Sequence, residues 1–502
     1  MPQLRDSHLE AMDHDRLRGS RGGAFARIFG IETEYGVSLT GTERLCPAPD
    51  IARTMFQPVI SRARSTNTYL QNGARLYLDV GSHPEYATAE ARTPLDAVKQ
   101  DLAGERIVAR LALRAQKQLQ REYGAEARVH VFKNNVDASG QSFGCHENYL
   151  LRRHVSLDDV RRLLVPFLVT RQLFSGAGKV TRDGFELSQR ADYLDEAVSS
   201  ATTRSRPMVH TRDEPHADPE LFRRLHVIVG DSNRSQVATC MKLDTTHLVL
   251  CIIEEAIEKG SATPFERCAL VSPGKAIRAV SRDLTGRAMI DVVADSGEQH
   301  SAQSSALSIQ HVYLEAAQDF VSRHSGLGSS VLDDAGQVLE LWGRALQAIE
   351  AGNWQALSDW VDWAAKLRII NALNRRGRAH MGKSSPSWAQ MKMLDFEYHD
   401  IVNGHVIESL ERHRQLKTLI SKEMISDSAS NPPADTRARL RGLFVRRALA
   451  SDIPWSCDWT HLVAMGDHHA EFEIMDPFMS DVTPDFEEFI DSMAPGYIER
   501  DS

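Results

Sequence analysis

The sequence predicts an α+β fold in which one large domain is followed by a small one. Short stretches of alternating polar and apolar residues dominate the first half of the chain, whereas residues from about 305 to 425 carry apolar side chains at helical spacing. Strands followed by a run of helices indicate a sheet that is backed by helices. The length of 502 residues exceeds the size at which a single hydrophobic core keeps growing, so a second, smaller domain is expected.

The first predicted strand carries two carboxylates on one face. Over residues 27–39 the odd positions from 29 onward are apolar apart from Thr33, and the even positions include Glu32 and Glu34 between two glycines. Successive side chains of a strand point to opposite faces, so both carboxylates share one side. Carboxylate oxygens are ligands that Mg²⁺ prefers, although such a pair on its own is more typical of a solvated sheet face.

A second predicted strand, residues 74–80, repeats this design. Arg75, Tyr77 and Asp79 lie on one face, while leucines and a valine lie on the other. The run continues to Glu85, which adds a third carboxylate. A face that carries acids and an arginine is costly unless ions occupy it. We therefore expect the polar faces of both strands to belong to one sheet and to form one site.

Two helices are predicted close to these strands. One spans residues 50–64, where apolar residues recur at helical spacing, and Pro58 should kink or shorten it. The other runs from 93 to about 122, with Thr93 as its N-terminal cap and Pro94 in the first helical position.

The later elements follow from the same signals. Residues 129–133 and 147–152 are predicted to pair as a hairpin, because a connection rich in asparagine and glycine lies between them. The remaining predicted elements are a strand at 223–231 and helices at 245–258, 306–322, 331–351 and 354–374.

The ends of the chain differ from its centre. Residues 1–25 are polar and lack a periodic apolar pattern, which is typical of a disordered leader. Small and polar residues followed by two prolines at 426–433 indicate a linker. We therefore expect a large domain over residues 26–425 and a small domain over residues 434–495.

Composition and charge argue against several classes of protein. A formal net charge of −9 argues against a nucleic-acid binder that relies on neutralising phosphates. Six scattered cysteines without a CxxC pair indicate a reduced, cytoplasmic protein. The longest apolar run, Leu248–Ile253, is too short to span a bilayer, so no membrane association is expected. The chain contains neither a GxxxxGK(S/T) nor a GxGxxG motif, so neither common phosphate loop would bind a nucleotide.

Six longer runs of the chain are distinctive: Gly30–Gly36, Asn72–Glu90, Gly144–Leu150, Ser199–Pro207, Thr211–Asp218 and Arg223–Asn233. They resemble the Pup–protein ligase family, also called proteasome accessory factor A, and the similarity covers roughly residues 27–495. The resemblance implies a glutamine-synthetase-like catalytic domain with a curved antiparallel sheet, followed by a small C-terminal domain.

The family's activity implies ATP and Mg²⁺ as cofactors and the prokaryotic ubiquitin-like protein Pup as a partner. The side chain of Pup's C-terminal glutamate would be phosphorylated, and a lysine of a protein substrate would then displace phosphate to form an isopeptide bond. The resemblance implies that substrates marked in this way would be directed to the bacterial proteasome. The residues suit this chemistry, because phosphorylation activates a carboxylate that is otherwise a poor electrophile.

The resemblance also assigns roles to seven positions. The family's magnesium ligands match Glu32, Tyr77 and Glu85. Its ATP contacts match Arg75, Thr88 and Trp459. Its catalytic base matches Asp79, which would take a proton from the lysine, since a lysine amine is mostly protonated at neutral pH. Glu34 and His226 face the same way on the predicted strands and are weaker candidates.

A related enzyme on the same fold, the deamidase and depupylase of Pup, hydrolyses the bond instead of forming it. That enzyme resembles the ligase but has an insertion between the first metal strand and the strand with the aspartate. Asp79 follows Glu32 after only 47 residues here, which favours the ligase. A non-catalytic Pup-binding adaptor and a small-molecule glutamate–amine ligase are further alternatives.

Two basic runs are candidates for the surface that meets Pup, which is acidic in this family. One is residues 366–378, and the other is a group of arginines after the predicted linker: Arg437, Arg439, Arg441, Arg446 and Arg447. A solvated helix face is the alternative for both, and complementary charge would mainly steer association.

Overall fold

The computed structural model describes residues 25–79, 81–199, 206–294, 302–324, 334–379, 387–451, 453–465 and 469–493. The predicted leader lies outside the described residues except for Phe25. None of the helices in these described ranges is both long enough and apolar enough to cross a membrane.

The core of the fold is an eight-stranded sheet with the strand order β10-β11-β12-β7-β1-β5-β4-β3. The predicted α+β architecture is confirmed. Neighbouring strands run antiparallel except β10 and β11, which are parallel, so the sheet is mixed and not wholly antiparallel. Alternation reports which face a side chain occupies but not the direction of the strand, and the parallel pair therefore escaped prediction. The strands are β1 Phe29–Glu34, β3 Asn67–Tyr69, β4 Arg75–Leu78, β5 Pro84–Ala87, β7 Cys145–Arg152, β10 Glu196–Ser199, β11 Pro207–His210 and β12 Phe222–Val227.

The first predicted strand is broken in two. The chain leaves the large sheet after Glu34, and β2 (Gly36–Thr40) pairs with β6 (Arg128–Phe132) in a separate two-stranded sheet. Tyr35 at the break is fully buried, so the apolar alternation continues across it and hides the change of sheet.

The predicted hairpin does not form. β6 pairs with β2, and its last residue forms a bridge to Asp400, whereas β7 pairs with β1 and β12. The end of β6 is anchored elsewhere, because Lys133 binds Asp101 and Glu105 on the long helix and its backbone N–H donates to His399. These partners are remote in sequence, so the local turn signal was misleading.

The helices stack against the apolar face of the large sheet, where side chains of β1, β7 and β12 enter the main hydrophobic core. The α-helices are Ala48–Ala63 (α1), Pro94–Tyr123 (α2), Leu157–Asp159 (α3), Val165–Thr170 (α4), Gln172–Ser175 (α5), Gln236–Glu258 (α6), Pro273–Arg282 (α7), Ala306–Arg323 (α8), Ala335–Glu350 (α9), Asp362–Ala379 (α10), Trp388–His399 (α11), Val406–Arg412 (α12), Lys422–Ser428 (α13), Ala438–Ala450 (α14) and Pro484–Asp491 (α15). A π-helical turn, Val160–Leu164, joins α3 to α4, and 3₁₀ turns occupy Ala191–Tyr193, Pro264–Cys268 and Trp354–Leu357.

Most of the helix predictions are confirmed, with three corrections. The cap of α2 forms as predicted, since the Thr93 side chain accepts from the backbone N–H of Asp96. Pro58 does not shorten α1, which continues to Ala63 because buried residues earlier in the helix hold it against the core. The helix predicted from 245 begins at Gln236, and the one predicted over 354–374 is a 3₁₀ turn followed by α10.

A small C-terminal part has a core of its own. Its three-stranded antiparallel sheet consists of β15 Trp455–Cys457, β16 His461–Met465 and β17 His469–Glu473, and α14 and α15 pack against it. Tyr69 of β3 enters the same core and connects it to the edge of the large sheet. The start of the predicted linker is helical, since α13 ends at Ser428, whose carbonyl accepts from the Asn72 side chain. Two further pairs are β8 Lys179–Val180 with β9 Phe185–Glu186, and β13 Met289–Val292 with β14 Ala302–Ser305.

Candidate active site

Strand register brings the polar residues together on one face of the large sheet. Glu34 on β1 pairs with Glu85 on β5, and Glu85 pairs in turn with Tyr77 on β4. Glu32 pairs on its other side with His146 on β7. Residues directly opposite each other point to the same face. The prediction that both polar strand faces belong to one sheet is confirmed, with β5 lying between them.

Hydrogen bonds hold the carboxylates of this face in position. The Tyr77 hydroxyl donates to one oxygen of Glu32, and Nδ1 of His146 lies 3.2 Å from the other. The backbone N–H of Gly144 donates to Glu34 at 2.7 Å. A Cβ on Gly144 would lie only 2.1 Å from Nε2 of His146, so glycine leaves the room that the imidazole needs.

The clustered charges shift the pKa values of these groups. Burial raises the pKa of Glu85 well above its usual range, and the charges of Glu32 and Glu34 raise it further. Burial also acts to raise the pKa of Glu32, but the hydrogen bond and charge of His146 outweigh it and hold that pKa well below its usual range. A divalent cation fits this donor set, because it binds hard carboxylate oxygens and offsets their repulsion.

Two histidines complete the polar cluster, and the sequence analysis missed one of them. The rings of His146 and His226 lie 4.9 Å apart between centres. Ligand atoms of Glu32, His146 and His226 lie within 4.8 Å of one another, and so do those of Glu34, Glu85 and His146. The signal for His146 was the alternation in β7, where Cys145 is buried and the next side chain turns to the opposite face.

Asp79 lies at the edge of the cluster, in a turn and not on the predicted strand. β4 ends at Leu78, one residue earlier, because the chain turns back there to form β5. The backbone N–H of His83 donates to Asp79 Oδ1 at 2.6 Å, and that of Ser82 donates to the Asp79 carbonyl at 3.1 Å. Burial raises the pKa of Asp79, and the charge of Glu34 adds to this effect, while His83 opposes it.

Two of the three residues assigned to nucleotide binding, Arg75 and Trp459, lie towards β3 and β4, whereas Thr88 follows β5 and contacts β1. Arg75 donates from Nε to Asn67 at 2.8 Å, and its guanidinium stacks 4.4 Å above the Tyr77 ring. Thr88 is buried, and its hydroxyl oxygen accepts from the backbone N–H of Ile31. Trp459 comes from the C-terminal part and packs edge-on against Tyr69, with ring centres 5.3 Å apart.

All seven predicted site residues line one cavity of about 960 Å³. This volume is at the upper end of the range for small-molecule sites, so the cavity has room for a nucleotide beside part of a second substrate. Glu34 and His226, the weaker candidates, line the same cavity. So do four arginines that the sequence analysis did not single out: Arg190, Arg206, Arg212 and Arg224.

The arginines after the predicted linker do not form a single surface. Arg437 and Arg441 are buried, and both bind the buried carboxylate of Glu90 at the end of the cavity. Lys366, which opens the other basic run, is buried and binds Asp395 at 2.6 Å. The sequence predicted that these cations lie on a solvated face or on a surface that meets a partner. In the structure each of them is buried and forms an ion pair with an acid that is remote in sequence.

Comparison with known proteins agrees with the motifs. A family model described as Pup-ligase protein matches residues 27–463. The chain is 51% identical over 499 residues to the Pup–protein ligase of Bifidobacterium longum, a match that covers 98% of this chain and 100% of the relative. It is 52% identical over 497 residues to the Pup–protein ligase of Bifidobacterium dentium, with the same coverage.

Two solved structures share the fold. The crystal structure of the complex between the prokaryotic ubiquitin-like protein Pup and its ligase PafA matches with a TM-score of 0.84 and 34% identity, over 93% of this chain and 92% of that one. The structure of PafA in complex with ADP matches with a TM-score of 0.75 and 36% identity, over 90% and 97%. Sequence and structure agree, and the chain belongs to the Pup-ligase family.

Proposed function

We propose that this chain is an ATP-dependent Pup–protein ligase of the cytoplasm that joins the side chain of Pup's C-terminal glutamate to lysines of protein substrates and so marks them for the proteasome. The observation that carries the proposal is that all seven positions matched to the family line a single cavity. The solved relatives bound to Pup and to ADP support both substrates.

The residues divide into a nucleotide side and a metal centre. Arg75 and Trp459 would flank the nucleotide, since a guanidinium and an indole suit phosphate and a base respectively. Glu32, Glu85 and Tyr77 would hold Mg²⁺, with Tyr77 also orienting Glu32 through its hydrogen bond. When bound, Mg²⁺ neutralises charge on the phosphates of ATP.

Asp79 would act as the base that takes a proton from the attacking lysine. Its carboxylate is fixed by the turn at His83, and it lines the cavity beside the acidic cluster. An amine gains a nucleophilic lone pair only after it loses a proton, and a nearby carboxylate can accept that proton in the transition state. Asp79 forms no ion pair with a lysine or arginine of the described residues, so its carboxylate stays available for this role.

The hydrolase alternative is less well supported. The relatives described above are Pup–protein ligases, and the short connection between Glu32 and Asp79 leaves little room for an inserted loop. We also propose that residues 26–425 form the catalytic domain and residues 434–495 the small one, in keeping with the separate C-terminal core.

A conjugation assay with Pup ending in glutamate, ATP, Mg²⁺ and a lysine-bearing protein tests the function. The wild type should form the conjugate only with ATP, and Asp79→Asn should lose conjugation while still binding Pup. Asp283→Asn is the matched control, because Asp283 also accepts backbone N–H groups in a turn but lies outside the cavity.

Three results would overturn the proposal or one of its parts. Rapid loss of a preformed Pup conjugate without new conjugation would identify a hydrolase. Full activity of Asp79→Asn would show that Asp79 is not the base, and Pup binding without any conjugation by the wild type would identify an adaptor.

A further inference from the structure

Two arginines face the cavity from the side opposite the proposed nucleotide contacts. Arg190 is only 2% exposed and donates from Nη1 to the carbonyl of Phe143 at 2.6 Å. Arg206, at the start of β11, donates from Nη1 to the neighbouring carbonyl of Ser142, also at 2.6 Å. Both side chains line the cavity. Neighbouring backbone carbonyls thus fix both guanidiniums, and the charge of Arg206 acts on Arg190.

Arg190 differs from the other deeply buried arginines of the described ranges. Arg27 binds Glu254, Arg171 binds Glu147 and Arg441 binds Glu90. Arg190 is the exception, because its guanidinium forms no such ion pair with a carboxylate of the described residues.

No carboxylate of the described residues lies within 4.0 Å of the guanidinium of Arg190 or of Arg206, and Nε of Arg190 is buried without a hydrogen-bond partner there. The charges of Glu34 and Asp231 act on Arg190 only from a greater distance, without an ion pair. A buried charge without an opposite charge is strongly unfavourable, so folded proteins rarely keep one without a use. Two adjacent cations increase this cost. The pair therefore has the properties of a receptor for an anion that the substrate supplies.

The position of the pair relates it to the reacting groups. The Phe143 ring stacks on that of His83 at 4.7 Å between centres, and the backbone N–H of His83 holds Asp79. Arg190 and Arg206 are therefore on the Asp79 side of the cavity. The acidic cluster lies in the middle, and Arg75 lies on the far side, towards the sheet edge.

We propose that Arg190 and Arg206 bind the α-carboxylate of the C-terminal residue of the protein that is activated. This inference rests on the proposed ligase function. A terminal glutamate has two carboxylates, and the side-chain one must face the nucleotide to accept a phosphoryl group. The other then points towards Arg190 and Arg206, where guanidinium N–H groups match carboxylate geometry. Since only the last residue of a chain has an α-carboxylate, the pair selects for a terminal glutamate over an internal one.

The test compares two forms of Pup, one with a free terminal α-carboxylate and one with a terminal α-carboxamide. The wild type should use the amide about 10- to 100-fold less well in kcat/KM, as expected when a charge-assisted contact is lost. Arg190→Met and Arg206→Ala should lower kcat/KM for the free acid to a similar extent and leave that for the amide nearly unchanged. The preference for the free acid should then disappear.

Arg212→Ala is the matched control, because Arg212 lines the same cavity but already binds Glu214 at 2.7 Å. It should keep the wild-type ratio of kcat/KM between the two forms of Pup.

Equal use of both forms by the wild type would overturn the inference while leaving the ligase function intact. Absence of conjugation with either form would overturn the ligase function itself. Equal losses on both forms in the Arg190 and Arg206 variants, with ADP binding and thermal unfolding unchanged, would assign the pair to the phosphoryl group and also overturn the inference.

Discussion

The phenolic hydroxyl of Tyr77 is placed to influence the proposed metal site through its hydrogen bond to Glu32. Tyr77→Phe keeps the ring beneath Arg75 but removes the hydrogen bond to the carboxylate. Loss of a group that orients a ligand typically weakens metal affinity by roughly 10- to 100-fold. We expect the Mg²⁺ concentration for half-maximal conjugation to rise by about this factor. Tyr193→Phe is the control, since the Tyr193 hydroxyl binds a backbone carbonyl outside the cavity. An unchanged Mg²⁺ requirement in Tyr77→Phe would contradict the proposal that Tyr77 orients Glu32 at a metal site.

A single guanidinium should contribute much of the affinity for the nucleotide. Arg75 forms no ion pair within the described ranges, so its charge is available to phosphate. Arg75→Ala should weaken ADP binding by at least about 10-fold, because hydrogen bonds to charged groups contribute roughly 1.5–3 kcal/mol. Titration calorimetry with ADP measures the change. Arg110→Ala, on an exposed face of α2, should bind ADP like the wild type, and equal affinity of all three proteins would exclude Arg75 from the nucleotide site.

At the residue scale, the grouping of the polar side chains was predictable where it depended on neighbours in the sequence. Glu32, Tyr77 and Asp79 stand out because two-residue periodicity groups polar side chains on one face. Arg190 could not be recognised in this way, since its distinction is that its buried guanidinium forms no ion pair within the described ranges, which only the folded chain reveals. Periodicity also carries no information about a buried pair such as Arg441 and Glu90, which are remote in sequence.

At the scale of elements, the N-terminal cap of α2 provides a local test. Thr93→Ala removes the side-chain acceptor for the Asp96 N–H and should cost about 1 kcal/mol. The first turn of α2 should then open about fivefold more often, which hydrogen exchange at Asp96 and Ala97 measures. Thr54→Ala is the control, because that hydroxyl binds the Asp50 carbonyl inside α1 and alanine is the better helix former. Unchanged exchange in Thr93→Ala would show that packing alone holds the helix start.

Local signals identified most elements but not the partners of the strands. Caps and periodicity are encoded within a few residues, which is why α2 was predicted almost to its last residue. Strand pairing depends on distant segments, so the turn-rich connection before β7 suggested a hairpin where β6 and β7 have other partners. The turn that removes Asp79 from β4 was missed because the polar alternation continues through it.

At the scale of the whole molecule, a buried charge cluster holds the C-terminal part to the catalytic sheet. Glu90 follows β5, whereas Arg437 and Arg441 lie at the start of α14. Arg441 also donates to the carbonyl of Trp459, and its guanidinium lies 4.8 Å from the centre of that ring. The cluster therefore positions the tryptophan at the cavity, and it couples the stability of the domain contact to the proposed nucleotide site.

The charge of Glu90 should make this contact dependent on pH. Burial acts to raise the pKa of Glu90, but the charges of Arg441 and Arg437 outweigh it and lower the pKa to about 2. The stabilisation is thus fully present above an unfolded pKa of about 4.5 and is lost as pH falls towards about 2. Glu90→Gln should lower the free energy of unfolding by about 3 kcal/mol near neutral pH, because two buried arginines lose their acid.

Urea unfolding at a series of pH values should show this difference shrinking below about pH 4.5 as the wild-type carboxyl gains its proton. Glu408→Gln is the control: it breaks an exposed pair with Arg412 and should change the free energy of unfolding little at any pH. A Glu90→Gln difference in this free energy that is small or constant with pH would refute the role of the cluster.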